Sequence, residues 1–288
     1  MIICRTINEL RQAIRQHRSS HLDSKVGFVP TMGYLHRGHG SLLERARDNC
    51  SLVVLSIFVN PLQFGPNEDF ERYPRDEKRD LEVAQSAGTD IVFLPQVAEM
   101  YPTPTKTVIT VSGVTERLCG ASRPGHFDGV ATVVSKLLNI VQPDFAYFGM
   151  KDAQQVAVIE QMVYDLNMPV TIVPCPTLRE EDGLALSSRN VYLSDEERRQ
   201  AIVLSAALAD AEALMQDAAG LTPDRLQAVV VERIQSASLA HIDYAEVLSY
   251  PSLEPIDSFE GADRIIVALA VKFGKTRLID NRILHIPA

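Results

Sequence analysis

Residues 52–59 read Leu-Val-Val-Leu-Ser-Ile-Phe-Val, with one hydroxyl in an otherwise apolar run. A strand with a solvated face alternates polar and apolar side chains. One without a polar face belongs in the middle of a parallel sheet, covered on both sides. Parallel neighbours are joined through crossover helices, so the rest of the chain must supply them. Shorter apolar runs at residues 26–29, 91–94, 144–149 and 170–173 do alternate with helical patterns. Leu42, Leu43 and Ala46, then Val130, Val133, Val134, Leu137, Leu138 and Val141, then Ile159, Met162, Val163 and Leu166 recur on single helix faces.

Residues 1–4, followed by Ile7, Leu10 and Ile14, read as a further strand and amphipathic helix, which is preferred here over an Arg-rich transit peptide. Residues 1–177 are therefore expected to form an α/β domain built on a Rossmann-like, doubly wound parallel sheet. Weak alternation over residues 105–111 predicts an edge strand, and Asp128 is placed to cap the next helix.

The texture changes at Leu178. A polar stretch is followed by two helical patterns, one with Leu204, Leu208, Ala211 and Met215 and one with Leu226, Val230 and Ile234. Residues 242–249, 264–271 and 276–279 then read as strands of an antiparallel sheet, the last two joined through Phe273-Gly274-Lys275. Residues 178–288 are expected to be a smaller C-terminal α+β domain. Two domains also suit 288 residues at about 150 residues per domain.

The net charge of −9 argues against a nucleic-acid partner, because a phosphate backbone would be repelled and no basic run offsets it. No apolar run approaches the roughly 18 residues needed to span a bilayer, so no membrane partner is expected. Cys4, Cys50, Cys119 and Cys175 are scattered without a Cys-x-x-Cys pair, which suits reduced thiols and a cytoplasmic location.

In an open α/β sheet, ligands gather beyond the carboxyl ends of the strands. The first such exit is Pro30-Thr-Met-Gly-Tyr-Leu-His36-Arg-Gly-His39, a glycine-bearing turn into a helix, where a nucleotide phosphate is commonly held. His36 and His39 are three apart and can face the same way. By themselves they suit phosphate donors, metal ligands or a solvated face. The metal reading is the weaker, since no Cys or third His lies near at ligand spacing. The glycines match neither the dinucleotide fingerprint nor the Walker loop. Asn60 and Gln63 reach the same rim after residues 52–59, with amides able to hold a polar substrate or simply to end the strand in a turn. Lys151, Asp152 and Gln155 follow residues 144–149, and the junction adds Ser187, Ser188 and Arg189. Such a set suits attack on the α-phosphate of ATP, with Lys and Arg neutralising the departing pyrophosphate.

The His-Arg-Gly-His stretch resembles the H-x-G-H signature of nucleotidyl-transferring enzymes. In order along the chain, P-T-M-G-x-L-H-x-G-H, F-V-N-P-x-Q-F, Y-P-R, G-H-F-D-G-V-x-T-V-V, F-G-x-K-D-x-Q-Q, D-G-L-A-L-S-S-R-N and T-R-L-I-D-N resemble the pantothenate synthetase family, the pantoate and β-alanine ligases. The resemblance runs from the N-terminus to Asn281.

It implies a two-step ligation. Pantoate attacks ATP to give a pantoyl adenylate and pyrophosphate, and the amine of β-alanine then displaces AMP, yielding pantothenate. By position, Met32, Gly33, Tyr34, Leu35, His36, Arg37, Gly38 and His39 would line the ATP site, with His39 as catalytic acid and His36 assisting. Gly149, Met150, Lys151, Asp152, Leu178, Leu186, Ser187, Ser188 and Arg189 would complete it, with Lys151, Ser187, Ser188 and Arg189 at the phosphates. Gln63 and Gln155 would bind pantoate, Gln63 also lying near β-alanine, and Asn60 would lend support. Mg²⁺ is implied with ATP, without assignable protein ligands beyond Asp152 as the nearest candidate. The resemblance also implies a homodimer, and the second domain is the expected lid over a water-sensitive adenylate.

Arg37, Met150, Tyr34 and Leu178 depart from residues common in the family, and none carries a side-chain role in this scheme. Another adenylyl or cytidylyl transferase is the nearest alternative; the paired Gln residues and the lack of a basic cluster near residues 58–64 favour pantoate over a phosphorylated substrate. A nucleotide-binding regulator without catalysis is the alternative from outside the enzymes, and the intact His36, His39, Lys151 and Ser187 disfavour it.

Overall fold

A computed structural model describes residues 1–65, 70–216 and 220–286. The chain forms two compact units that interleave along the sequence. Met1–Val111, Arg123–Met150 and Val158–Pro176 make the first, and Ser112–Ser122, Lys151–Ala157 and Thr177–Ala288 make the second. The sequence suggested a single boundary, whereas Ser112–Ser122 and Lys151–Ala157 precede residue 178 and belong to the second unit.

The first unit is a six-stranded sheet of β1 (Ile2–Cys4), β2 (Val26–Thr31), β3 (Leu52–Ile57), β4 (Ile91–Phe93), β5 (Phe145–Gly149) and β6 (Thr171–Cys175). The strand order is β1-β4-β3-β2-β5-β6, and every neighbouring pair is parallel. The expected central strand, β3, is buried at all its positions. Val29, Leu35, Leu43, Ala46, Val53, Leu55 and Val92 pack together as its core. The chain winds from β2 through β3 to β4 in one direction and from β5 to β6 in the other. The reversal falls between β2 and β5, which pair through Gly27 with Phe145 and Phe28 with Ala146. Ligands of open α/β sheets bind beyond the carboxyl ends of the strands at such a point.

Two local expectations are corrected. Residues 105–111 form no strand; they are mostly exposed, and the Ile109 N–H donates to Thr132 Oγ1 at 3.0 Å. The alternation there reflects Thr and Lys at the surface and not a face against a core. Asp128 does not cap its helix, which starts at His126 with Gly125 as N-cap, so the carboxylate sits inside the first turn. There it still complements the helix dipole.

In the second unit β7 (Ala240–Ser249), β8 (Arg264–Phe273) and β9 (Thr276–His285) form an antiparallel sheet in that order, and β8 and β9 are joined by the tight turn at Gly274-Lys275. β8 and β9 both run longer than their apolar patterns suggest, because the ladder continues with Arg264 opposite His285 and Phe273 opposite Thr276. Leu204, Leu208, Ala211, Met215, Leu226, Val230 and Ile234 from helices Val203–Gln216 and Pro223–Gln235 are all buried in one core with Ile265, Val267 and Leu269. Among the described residues no helix is long and apolar enough to cross a membrane. All four cysteines are buried and unpaired as thiols.

Candidate active site

The exit from β2 is shaped by a buried carboxylate. Asp80, on helix Glu77–Ser86 and 2% exposed, accepts the N–H groups of Tyr34 at 2.9 Å and Leu35 at 2.6 Å. Burial raises its pKa, and those two bonds work in the opposite direction. Gly33 must be glycine here. Its φ is +84°, and a Cβ would lie 2.8 Å from Ile57 Cγ2 and 2.9 Å from Asp80 Oδ2. Tyr34 is also left-handed at φ 52°, and the Arg79 guanidinium stands 4.7 Å from its ring centre. Leu35 is fully buried and anchors the turn.

His36 then caps helix Arg37–Asn49 in an unusual box. Its Nδ1 accepts the Gly38 N–H at 3.1 Å, while His39 Nδ1 accepts the His36 N–H at 3.3 Å. Both Nδ1 atoms are acceptors in these bonds, so a neutral ring carries its proton on Nε2. The two rings lie 4.1 Å apart between centroids, tilted by 35°. The geometry therefore sets both rings at the N-terminal turn of a helix, where backbone and dipole already favour an anion. Arg37 is exposed, and His36, Gly38 and His39 are half-buried.

The exit from β3 is organised by Asn60, 1% exposed. Its amide nitrogen donates to Gly129 O at 3.1 Å and Gln63 Oε1 at 3.3 Å. Its oxygen accepts from Leu62 N at 3.3 Å and Tyr101 Oη at 2.9 Å. Burial pushes the Tyr101 hydroxyl up to about 12, which keeps it a donor. Asn60 thus spends its amide on the protein and supports Gln63. Gln63 Nε2 in turn donates to Met32 Sδ at 3.2 Å, which joins this turn to the β2 exit. Helix His126–Val141 secures it from the other side, as His126 Nδ1 contacts Gln63 O at 2.9 Å and Gly129 lets the backbones touch. The G-H-F-D-G run is the brace of the F-V-N-P-L-Q-F turn.

Gly149 and Met150 end the first unit's contribution at the exit from β5. In the second unit, Lys151 and Asp152 are an ion pair at 3.9 Å, and the Lys151 carbonyl accepts from Asn281 Nδ2 at 2.9 Å. Of the paired glutamines, Gln154 is a strap: its oxygen accepts the Cys119 N–H at 3.0 Å, and its nitrogen donates to Val114 O and Arg117 O at 2.9 and 2.8 Å. Gln155 is half-buried and takes no part in those bonds. Leu178 and Leu186 face each other across a short hairpin, with Leu186 N donating to Leu178 O at 3.0 Å. Ser187 follows as the N-cap of the 3₁₀ turn Ser188–Tyr192, its Oγ accepting the Arg189 N–H at 3.2 Å.

Each unit thus gathers its own set of the expected residues: Met32, His36, His39, Asn60 and Gln63 in the first, Lys151, Asp152, Ser187, Ser188 and Arg189 in the second. The sequence reading missed Asp80, His126 and Gly129. A signal for Asp80 existed, because it occupies the buried face of its helix with Ala84, an odd place for an unpaired acid.

A model of the Pantoate-beta-alanine ligase family matches residues 2–283. The pantothenate synthetase of Acetivibrio thermocellus is 56% identical over 287 residues, covering 99% of this chain and 100% of that protein. That of Pelotomaculum thermopropionicum is 54% identical, covering 99% of each. Among solved structures, pantothenate synthetase from Thermus thermophilus superposes with a TM-score of 0.90 at 48% identity, covering 98% of this chain and 99% of that one. The pantoate-beta-alanine ligase from Francisella tularensis, solved in complex with beta-gamma ATP and beta-alanine, gives 0.78 at 35% identity, covering 98% and 97%.

Proposed function

This chain belongs to the pantoate-beta-alanine ligase family, and from that membership we propose how its residues carry the reaction. The chain is an ATP-dependent ligase that forms pantothenate from pantoate and β-alanine. In the proposed course a pantoate carboxylate oxygen attacks the α-phosphorus of ATP and the bond to the β-phosphate oxygen breaks, releasing pyrophosphate. The amine of β-alanine then attacks the acyl carbon of the pantoyl adenylate. The acyl–oxygen bond breaks, AMP leaves, and the amine proton passes to solvent.

The histidine pair carries this reading. With both Nδ1 atoms committed to backbone N–H groups, Nε2–H of His39 donates to the α-phosphate as its charge grows, and His36 assists. Met32, Gly33, Tyr34, Leu35, Arg37 and Gly38 line the nucleotide as the turn that Asp80 holds. Lys151, Ser187, Ser188 and Arg189 neutralise and orient the leaving pyrophosphate, with Gly149, Met150, Asp152, Leu178 and Leu186 supplying nearby backbone. Gln63 and Gln155 hold pantoate through neutral amides, and Asn60 holds Gln63.

Mg²⁺, when bound with ATP, would supply neutralisation of phosphate charge. Among the described residues no three His, Cys, Asp or Glu side chains are grouped to cage an ion. A cation that keeps most of its waters would need few protein ligands, and Asp152, the acid paired with Lys151, would be the nearest. The same proposal includes a cytoplasmic homodimer: four unpaired thiols suit a reducing compartment, and the dimer rests on the family resemblance.

Pantoate labelled with ¹⁸O in its carboxylate tests the intermediate. One label transferred to AMP is expected; label in inorganic phosphate or pyrophosphate, with none in AMP, would overturn attack at the α-phosphorus.

A further inference from the structure

The Thr-Arg-Leu-Ile-Asp-Asn run of residues 276–281 has no part in the reaction above, yet it is the most heavily bonded part of β9. Asp280, 2% exposed, receives both terminal nitrogens of Arg179 at 2.6 and 2.9 Å and the Asn281 N–H at 2.8 Å. The same guanidinium donates to Gly183 O at 3.1 Å. Arg179 lies opposite Ala185 in the short hairpin that ends at Leu186 and delivers Ser187, Ser188 and Arg189. Asn190 closes that hairpin, donating to Glu180 Oε1 at 3.0 Å and Ala185 O at 3.1 Å.

The next residue on the strand grips a different segment, since Asn281 Nδ2 donates to the Lys151 carbonyl at 2.9 Å. Neighbouring side chains leave a strand on opposite faces. β9 is the edge of its sheet, so its adjacent residues can take one segment from either side. Lys151 and Ser187 are far apart in sequence, and both are drawn on for phosphate. What they share is this pair of residues.

We propose that Asp280 and Asn281 are positioning residues for the nucleotide's phosphates. Asp280 acts through Arg179 on the Ser187, Ser188 and Arg189 segment, and Asn281 acts directly on the Lys151 backbone. The proposal rests on the assignment of those two segments to ATP. Neither residue touches substrate. Their effect is to fix phosphate donors before ATP arrives, so their loss weakens phosphate binding and spares the other substrates.

Asn281 gives the cleaner test, because removing the buried Asp280 would leave a half-buried, uncompensated Arg179 and destabilise the unit generally. Asn281→Ala and the isosteric Asn281→Asp, which sets an acceptor against the Lys151 carbonyl, are compared with the native enzyme. KM is measured for ATP, pantoate and β-alanine, pyrophosphate affinity by calorimetry, and folding by thermal melting. ATP KM and pyrophosphate Kd are expected to rise about tenfold in Asn281→Ala and further in Asn281→Asp, with the other two KM values within about twofold. Lys151→Ala combined with Asn281→Ala should lose little beyond Lys151→Ala alone, as expected of coupled residues.

Unchanged ATP KM and pyrophosphate affinity would overturn the proposal, and so would a uniform loss that tracks the folded fraction. Should the Asn281 variants not fold, Arg179→Lys carries the same comparison, since it keeps the charge and gives up the two-pronged contact. A native enzyme without pantoate-dependent pyrophosphate release would sink the underlying assignment. An active native enzyme with indifferent variants would sink the positioning role alone.

Discussion

Gly129→Ala is a one-methyl test of how the Gln63 amide, proposed above to hold pantoate, is positioned. A Cβ built at Gly129 lies 2.3 Å from Leu62 O, 2.5 Å from Leu62 C and 2.7 Å from Gln63 Cα. These are backbone atoms of the turn that bears Gln63, so no side chain can swing aside. To reach even the 3.0 Å below which real Cβ contacts essentially never fall, helix and turn must part by about 0.7 Å. The overpacking costs roughly 1–3 kcal/mol, and about 1 kcal/mol returns as better helix propensity, leaving a net destabilisation of about 0–2 kcal/mol. Function should suffer more than stability. The displacement stretches the Asn60 bond to Gly129 O and moves Gln63, and a misplacement near 1 Å can cost up to about 100-fold in rate. Steady-state kinetics at saturating ATP and β-alanine should show kcat/KM for pantoate lowered about 10- to 100-fold, with ATP KM much less affected, while urea unfolding confirms a folded protein. A pantoate kcat/KM within twofold of native would refute either the rigidity of this contact or the role of Gln63.

Two further predictions concern the β2 exit. Gly33→Ala forces an alanine to φ +84° and drives a methyl against Ile57 and Asp80, so a loss of about 2–4 kcal/mol in urea unfolding and a raised ATP KM are expected; a native-like ATP KM would separate this turn from the nucleotide. Asp80 has its pKa raised by burial, so its contribution to stability is fully present below the ordinary carboxylate range and is lost as pH rises through the raised value. The stability of the native chain relative to Asp80→Asn should therefore fall as pH rises toward neutrality, and a difference that grows with pH would contradict the assignment.

The parallel sheet could be read from the sequence because its signals are local. β3 is apolar throughout, and the helix faces of Val130 and Leu204 repeat within a few turns. The histidine pair was legible for the same reason, being three residues apart on one helix start. What escaped depends on long-range partners. Asp80 lies in a charged, mostly exposed helix, and only the fold brings it to Tyr34 and Leu35. The two glutamines at 154 and 155 look alike in sequence, and only the turn at residues 114–119 makes one a strap. Residues 105–111 alternate as a strand would but find no partner, since pattern reports a face and not what covers it.

The central claim is that a carboxylate is adenylated and that donation from the His39 ring drives the step. It is tested most directly by pyrophosphate release from ATP and Mg²⁺ with pantoate, with and without β-alanine, in the native chain and His39→Ala. The account predicts pantoate-dependent release, sustained turnover to AMP only when β-alanine is added, and a loss of about 100-fold or more in the variant, or roughly 3 kcal/mol. ATP binding without pantoate-dependent pyrophosphate, or a variant that turns over at the native rate, would contradict it.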